Sequence, residues 1–310
     1  MTVLIQSRDG DAPQWRPLMQ AALPDHTIRV DPEELDDPAQ VRFALVWHPP
    51  AGLLASLPKL EAIFSMGAGV DHILCDPDLP ADVPIVRLAD AGLKQGMVEY
   101  VTLAVLRHHR ALRGYLEQQA QRRWAEIPVP LAGGRRVGIL GLGELGGACA
   151  TALSGLGFEV AGWARGRKEV PGITAYAGAD ELSTLLARSD ILVCLLPLTD
   201  ATRGLLDRAT LGALPTGACV VNVARGEHLV QPDLLALLES GHLAEATLDV
   251  TDPEPLPPED LLWAHPRVLV TPHVAAVTRP ESAVPEIASN VRRMERGEFP
   301  APVVDRGQAY

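Results

Sequence analysis

The chain has 310 residues, of which 47% are hydrophobic, and it carries a formal net charge of −12 at pH 7. This length predicts roughly two domains with packed cores, and the negative charge argues against a nucleic acid or an anionic membrane as partner. No apolar stretch approaches the length of a membrane span, and the N-terminus lacks the basic segment of a secretion signal.

The cysteines show no pattern typical of a disulfide framework or a metal site. Cys75, Cys149, Cys194 and Cys219 are scattered along the chain without C-x-x-C spacing. Cys194 and Cys219 lie in apolar runs, where a small buried thiol is expected. We therefore expect a reducing, cytoplasmic setting and no metal site.

Short apolar runs alternate with helical or loop patterns in the N-terminal third of the chain. Four of these runs are candidate parallel strands, namely Val3–Ile5, Phe43–Trp47, Ala62–Met66 and Ile85–Leu88. The acidic, proline-bearing segment 31–40 is expected to be a surface loop or a short helix.

A helical spacing of apolar residues predicts one long helix over residues 97–124, which would connect two α/β segments. The adjacent His108 and His109 would point to different faces of this helix. We expect them to contact solvent or to pack against a neighbour rather than to bind a metal.

The segment from 135 to 275 repeats the strand–helix rhythm more clearly. Six apolar runs are predicted as strands: Val137–Leu140, Phe158–Trp163, Ile191–Leu196, Cys219–Val223, Ala246–Val250 and Val268–Val270. Uninterrupted apolar strands that alternate with helices predict a parallel sheet covered on both faces. Six is the number of strands in a doubly wound dinucleotide-binding domain.

The first of these strands leads into a glycine-rich loop. The run VGILGLGELG breaks on Gly141, Gly143 and Gly146, and a small-residue helix follows to Leu156. This is the G-x-G-x-x-G dinucleotide fingerprint in its required place between a strand and a helix. Gly141 would permit the tight turn, Gly143 would admit a pyrophosphate, and Gly146 would let helix and strand pack closely. The alternative is a glycine-rich turn without a ligand.

The end of the second strand of this domain predicts which nicotinamide cofactor binds. An NAD site usually has an Asp or Glu there, which holds the ribose 2′-hydroxyl. Here the strand is followed by Arg165, Arg167 and Lys168, without a carboxylate. A guanidinium can bind a 2′-phosphate through two hydrogen bonds. We therefore predict NADPH, with Arg165 as the main contact and NADH as a possible second cofactor. The alternative is a solvated basic loop.

Three later strand ends carry polar groups that could do chemistry. Arg225, Glu254 and His273 follow consecutive predicted strands, and ligands of open parallel sheets bind outside the carboxyl ends of the strands. Arg225 would bind the oxygens of a 2-oxo acid, and His273 as imidazolium would donate a proton. Glu254 would favour the protonated ring and orient it. A second glycine-rich strand end, SMGAGVD at 65–71, is either an anion cradle or a simple turn.

The segments GLGELG, VNVARGEHLV, LDVTDPEPLPPE and TPHVAA resemble the D-isomer-specific 2-hydroxyacid dehydrogenase family. VWHPP at 46–50, SMGAGVD, WARGRKEVPGI at 163–173 and PHVAAVTRP at 272–280 are most similar to its NADPH-preferring glyoxylate/hydroxypyruvate reductase branch, type A. The resemblance covers nearly the whole chain. It implies that Arg225 binds substrate, that His273 is the acid/base and that Glu254 is its partner. His228 is expected behind Arg225 or at the surface.

The resemblance also implies two wider sets of site residues. The substrate set is Trp47, Gly67, Ala68, Gly69, Arg225 and His273. The cofactor set is Gly141, Gly143, Glu144, Leu145, Gly146, Arg165, Arg167, Lys168, Leu196, Pro197, Val223, Ala224, Asp249, His273 and Ala275. Trp47 is as compatible with strand-end packing as with a place in the substrate pocket.

The predicted fold class is α/β, with two Rossmann-like doubly wound parallel-sheet domains and an interdomain cleft. A flavodoxin-like substrate domain is predicted over 1–98 plus 276–310, and a dinucleotide-binding domain over 99–275. The C-terminal segment 278–297 is predicted to be helical, with a kink or a start at Pro285. The predicted function is reduction of glyoxylate or hydroxypyruvate by a homodimer. A nucleotide-binding corepressor and a short phosphoglycerate-type dehydrogenase are the alternatives.

Overall fold

The computed structural model describes residues 1–88 and 91–306. The chain divides into two compact units, of which one comprises Met1–Leu93 with Val277–Tyr310 and the other Lys94–Ala276. Residues 89–90 and 307–310, which belong to the predicted substrate domain, lie outside the described residues. None of the helices in the described ranges is long and apolar enough to cross a membrane.

The first unit is built on a five-stranded sheet. Its N-terminal elements are β1 (Thr2–Ser7), α1 (Ala12–Ala22), β2 (Thr27–Val30), β3 (Val41–Trp47), β4 (Ala62–Ser65), α2 (Asp71–Leu74) and β5 (Ile85–Val86), with 3₁₀ turns at Pro32–Glu34, Pro38–Gln40 and Leu54–Ser56. The strands are all parallel in the order β2-β1-β3-β4-β5, which is the flavodoxin-like order. Strand β2 was not predicted.

The second unit is built on a seven-stranded sheet. Its first element is α3 (Ala91–His109), of which all but the first three residues belong to this unit. The others are α4 (Leu112–Ala120), β6 (Arg136–Leu140), α5 (Glu144–Gly155), β7 (Glu159–Ala164), β8 (Thr174–Ala177), α6 (Gly178–Arg188), β9 (Ile191–Cys194), α7 (Arg208–Gly212), β10 (Ala218–Asn222), α8 (Gln231–Glu239), β11 (Leu243–Leu248), α9 (Leu261–Ala264) and β12 (Val268–Val270), with 3₁₀ turns at Ala132–Gly134 and Gly226–His228. The parallel order β12-β11-β10-β9-β6-β7-β8 is the doubly wound dinucleotide order with one further strand. The predicted fold class of two parallel-sheet α/β domains is confirmed, whereas the count of six strands missed β8.

Two apolar layers enclose the larger sheet. Alternate residues of one strand face opposite sides, so that Ile191 and Val193 join the layer under α3 and α5, while Leu192 and Cys194 join the layer under α6 and α8. This explains why the strands read as continuous apolar runs, because both faces of the sheet are buried. Burial also raises the pKa of the Cys194 thiol to about 12, as expected of a packing cysteine.

The single long helix predicted over 97–124 is wrong. Ala111 has a φ of +52°, and the chain turns there, so that α3 and α4 are separate helices. The apolar side of α3 is part of the core of the second unit. His108 and His109 are both buried, and Nε2 of His108 lies 3.0 Å from Oγ1 of Thr247. They are packing residues.

The C-terminal helix α10 (Pro280–Glu295) returns to the first unit. It buries an apolar side that includes Ala283, Ile287 and Val291, and it packs against α1. The helix begins at Pro280, and a proline is tolerated there because the first N–H of a helix has no partner within the helix. The helix continues through Pro285. A helix start at Pro285 is therefore wrong.

Candidate functional site

The carboxyl ends of the second unit's strands lie side by side, because the ladder of hydrogen bonds continues past each strand. The N–H of Asp249, just after β11, donates to the carbonyl of Asn222 at 2.9 Å. The N–H of Thr271, just after β12, donates to the carbonyl of Leu248 at 2.9 Å. The residues that follow β10, β11 and β12 are thus aligned at one edge, where open α/β sheets bind their ligands.

Two of the three fingerprint glycines between β6 and α5 are required by close approach of the backbone. Gly141 has a φ of +100°, and a Cβ there would lie 2.6 Å from the Leu195 carbonyl oxygen. A Cβ on Gly146 would lie 1.8 Å from the Gly141 carbonyl oxygen. A Cβ on Gly143 would meet no atom of the described residues within 4 Å. The N-terminus of α5 therefore opens on space in which its N–H groups can meet an anion.

The other predicted cofactor residues near this loop lie at neighbouring strand ends. Glu144, in the first turn of α5, accepts a hydrogen bond from Nζ of Lys94 at 2.9 Å. Leu145 is partly buried against the core, and Leu196 is buried after β9. The carbonyl of Pro197 accepts a hydrogen bond from Oγ1 of Thr202 at 2.7 Å. Val223 and Ala224 are also buried, so their side chains support the edge.

The loop after β7 is basic and exposed. Arg165, Arg167 and Lys168 all lie on the surface, and no carboxylate occurs from 165 to 168. Nη2 of Arg167 is 3.4 Å from Oε1 of Glu181, and the Arg167 side chain is 72% exposed. The loop presents cations where a 2′-hydroxyl site would need an acid.

The side chains of Glu254 and His273 are within hydrogen-bond distance of each other at the sheet edge. Nδ1 of His273 lies 2.9 Å from Oε2 of Glu254, and the N–H of Thr251 donates to the other carboxylate oxygen at 3.1 Å. Burial alone would raise the pKa of Glu254, but the hydrogen bond and charge of His273, the Thr251 N–H and the nearby Arg225 together lower it. Glu254 is therefore held as a carboxylate that can orient the imidazole.

Arg225 begins the 3₁₀ turn after β10 and is held by a buried histidine. Its N–H donates to Nδ1 of His228 at 3.2 Å, and its Nη1 donates to the Ala224 carbonyl at 2.8 Å. His228 is fully buried, with Nε2 at 3.3 Å from the Pro197 carbonyl. Burial lowers the pKa of His228, although its contacts with the backbone carbonyls of Pro197 and Arg225 oppose that shift. The ring is thus neutral and lies behind Arg225, not at the surface.

Asp249 holds the loop that carries His273. Asp249 is 1% exposed. Its two carboxylate oxygens accept hydrogen bonds from the N–H groups of Val274 and Ala275 at 2.9 and 2.8 Å. The His273 N–H donates to the Asp249 carbonyl at 2.8 Å. His273 itself has a φ of +54°, a region that costs a non-glycine residue energy. The carboxylate of Asp249 thus bonds to the backbone of this loop.

The glycine-rich turn of the first unit follows β4. Oγ of Ser65 donates to the Gly69 carbonyl at 2.9 Å and accepts from the Gly67 N–H at 3.2 Å. Within the described ranges, no intramolecular acceptor is recorded for the N–H groups of the other two residues of the Gly67–Gly69 turn. Those two groups are the ones suited to an anion.

Trp47 lies at the end of β3, against this turn. A Cβ on Gly67 would lie 2.9 Å from Cζ3 of Trp47, so a side chain at position 67 would displace the ring. The His72 ring lies against the indole, with centroids 4.4 Å apart. Trp47 thus has a fixed place over the turn.

Sequence reasoning missed the polar side chains that support these sites. Ser65, His72, Tyr100 and Thr271 each contact a predicted site residue or its loop. Tyr100 lies within the helical pattern of α3 and does not stand out from it, and the other three residues do not belong to a motif with a distinctive spacing. Position was the available signal for two of them, since Ser65 ends β4 and Thr271 directly follows β12.

Comparison with known proteins assigns the family. Residues 102–275 match the family model described as D-isomer specific 2-hydroxyacid dehydrogenase, NAD binding domain. A glyoxylate/hydroxypyruvate reductase A of Yersinia enterocolitica is 41% identical over 315 aligned residues, with 100% of both chains covered. The homologous reductase A of Serratia proteamaculans is 41% identical, with 98% of both chains covered.

Solved structures match the whole chain as well. A D-isomer specific 2-hydroxyacid dehydrogenase from Xanthobacter autotrophicus Py2, in complex with NADPH and MES, has 43% identity and a TM-score of 0.95, with 99% of each chain covered. An NADPH-dependent glyoxylate/hydroxypyruvate reductase from Sinorhizobium meliloti, in complex with NADP and sulfate, has 36% identity and a TM-score of 0.94, with 100% of this chain and 99% of that chain covered. The chain belongs to the D-isomer specific 2-hydroxyacid dehydrogenase family.

Proposed function

We propose that this protein is an NADPH-dependent reductase of small 2-oxo acids, with glyoxylate or hydroxypyruvate as substrate and the 2-hydroxy acid as product. The observation that carries the proposal is the contact of 2.9 Å between His273 and Glu254 at the strand ends of a dinucleotide-type sheet. The names of the relatives from Yersinia enterocolitica and Sinorhizobium meliloti support the same reaction.

The residues at the second unit's sheet edge fit a bound NADPH. The open position at Gly143 leaves room for a pyrophosphate at the N-terminus of α5. Arg165, with Arg167 and Lys168 in support, would hold the 2′-phosphate, because guanidinium and phosphate form charge-assisted hydrogen bonds. Structures of relatives that contain NADPH or NADP support this cofactor.

The bound cofactor supplies the hydride that reduces the carbonyl carbon. Arg225 binds the carboxylate and carbonyl oxygens of the substrate, since its planar guanidinium can engage two oxygens at once. His273 donates its proton to the carbonyl oxygen, as a general acid at hydrogen-bond distance. Glu254 accepts from Nδ1 of His273, which leaves Nε2 as the atom that delivers the proton.

The proposed role of the first unit is to bind the substrate. The amides of the Gly67–Gly69 turn would bind the substrate carboxylate, and Trp47 would limit the size of the side chain that fits. The first unit would then be the substrate domain, and the second the dinucleotide-binding domain. We further propose a homodimer that forms through the region of α3, and a cytoplasmic location, for which the scattered cysteines are the support.

A steady-state panel tests this function. Wild-type protein and the Arg165→Ala variant are assayed with glyoxylate, hydroxypyruvate, pyruvate and larger 2-oxo acids, each with NADPH and with NADH. We expect turnover of the two smallest acids with NADPH, and a loss of NADPH affinity in Arg165→Ala that is at least ~10-fold larger than the loss for NADH.

Two outcomes would contradict parts of the proposal. Binding of NADPH without oxidation by any 2-oxo acid would favour a nucleotide-sensing regulatory module. Equal losses for NADPH and NADH in Arg165→Ala would mean that the basic loop does not contact the 2′-phosphate. Arg208→Ala is the matched control, because Arg208 is an exposed arginine paired with Asp233 on α8.

A further inference from the structure

A line of three polar side chains leads from α3 to the loop that carries His273. The Tyr100 hydroxyl contacts Oγ1 of Thr271, and Oγ1 of Thr271 lies 2.6 Å from Oδ1 of Asp249. The same Oδ1 accepts the N–H of Val274, and Oδ2 accepts the N–H of Ala275. Tyr100 and Thr271 are 171 positions apart in the sequence, so the fold alone brings them together.

The direction of these hydrogen bonds follows from the chemistry of the groups. An ionised carboxylate accepts only, so Thr271 donates its single hydroxyl proton to Asp249. Its oxygen can then only accept from Tyr100, which makes the tyrosine the donor. Burial raises the pKa of Tyr100 to about 12. The phenol therefore keeps its proton under ordinary conditions.

The loop needs such support because its backbone is unfavourable. His273 has a φ of +54°, and a residue held in this region persists only where the surroundings determine its conformation. Asp249 fixes the two residues that follow His273. Thr271 occupies the opposite side of the histidine, two positions before it, and reaches the same carboxylate. The side chain of Asp249 thus ties both flanks of His273 together.

We propose that Tyr100 is a positioning residue for the reaction, which acts through the Thr271 hydroxyl and the Asp249 carboxylate to hold His273 in line with its proton acceptor. The role rests on the proposed function, since it presumes that His273 is the proton donor. Tyr100 has no direct part in the chemistry in this proposal. Its phenol completes the hydrogen bonds of a threonine that would otherwise be free to rotate away from Asp249.

Double-mutant kinetics tests the proposal on the full-length protein. We expect Tyr100→Phe to lower kcat for glyoxylate by about 10-fold while KM and the Kd of NADPH stay within ~2-fold, because small displacements of a proton donor cost rate rather than binding. Thr271→Val should lower kcat at least as much. Since Tyr100 acts through Thr271, Tyr100→Phe should have no further effect in the Thr271→Val background.

Two controls separate positioning from general loss of structure. Thr271→Ser keeps the hydroxyl and should restore kcat to within ~2-fold of wild type. Tyr115→Phe removes the hydroxyl of a tyrosine on α4, a group that is hydrogen-bonded to the backbone of Ile127. This substitution should leave kcat unchanged. Additive losses in the double variant, or an unchanged kcat in Tyr100→Phe, would overturn the proposal.

A measurement without turnover distinguishes failure of this proposal from failure of the proposed function. In protein with ¹⁵N-labelled histidine, the His273 ring signals are assigned by their loss in His273→Ala. We expect Tyr100→Phe to broaden or split those signals while Tyr115→Phe does not. Unchanged His273 signals would refute the positioning role even in a protein that reduces no 2-oxo acid, whereas absent turnover in the wild type would refute only the proposed function.

Discussion

The two units share one architecture and present different chemistry at their strand ends. Both are parallel sheets with helices on their faces. In the first unit the relevant strand ends offer backbone amides at Gly67–Gly69 and the indole of Trp47. In the second unit they offer ionisable side chains, with Arg225, Glu254 and His273 at one edge. The same fold thus presents uncharged hydrogen-bond donors in one place and ionisable groups suited to proton transfer in the other.

The difference lies in how each site is held. The turn of the first unit depends on the small size of glycine, since a Cβ on Gly67 would collide with Trp47. The sheet edge of the second unit depends on hydrogen bonds to buried polar groups: Asp249 holds the loop around His273, and His228 holds the backbone of Arg225. Substitutions in the first unit should therefore change substrate binding, and substitutions in the second should change rate or pH dependence.

The largest expected effect is on the proton donor. His273→Ala removes the group that Glu254 orients, and we expect kcat to fall by about 10³-fold, within the range that general acids contribute. The Kd of NADPH, measured by fluorescence titration, should stay within ~3-fold. A kcat close to that of wild type would remove His273 from the acid role. His242→Ala, which alters a partly exposed histidine in the turn before β11, is the control.

A smaller effect is expected in the first unit. Gly67→Ala places a methyl group 2.9 Å from Trp47, whose indole is also in contact with His72. We expect KM for glyoxylate to rise by about 10-fold with little change in kcat, as for one methyl group in a tight pocket. Gly155→Ala is the control, because its Cβ would meet no described atom within 4 Å. A fall in kcat larger than the rise in KM would contradict the difference expected between the two units.

The smallest expected effect is on stability. His228 is neutral in the fold, and burial lowers its pKa, while the unfolded chain binds a proton near the ordinary value of ~6.5. Stability from this group is therefore present above that value and declines as the pH falls toward the lower folded pKa. We expect His228→Asn to reduce the stability loss between pH 7.5 and pH 5.5 by ~1 kcal/mol in urea unfolding. Parallel pH profiles for the two proteins would contradict this.

Sequence patterns predicted the interior of both sheets because buried parallel strands are continuous apolar runs. They missed β2 and β8, which are edge strands. Only alternate residues of β2 are buried, and none of β8 is. The break at Ala111 was also missed, since neither glycine nor proline marks it.

For the candidate site, local sequence predicted which residues follow strands but not how they are held. The contact between Glu254 and His273 could be predicted because both follow neighbouring strands. The two hydrogen bonds of Asp249 to the loop around His273 could not, because they depend on the register of β11 against β12. The burial of His228 could not be predicted either, since a single polar residue shows no periodicity.

The exposure of the loop from 165 to 168 has a consequence for how this protein can change. All four of its residues lie on the surface, and exposed substitutions usually alter stability by less than ~0.5 kcal/mol. Gly141 and Gly146 of the fingerprint, in contrast, are fixed by backbone contacts that admit no side chain. If the proposed contacts with the 2′-phosphate hold, preference for one nicotinamide cofactor over the other can be changed through this short exposed segment, without altering the glycine-rich loop.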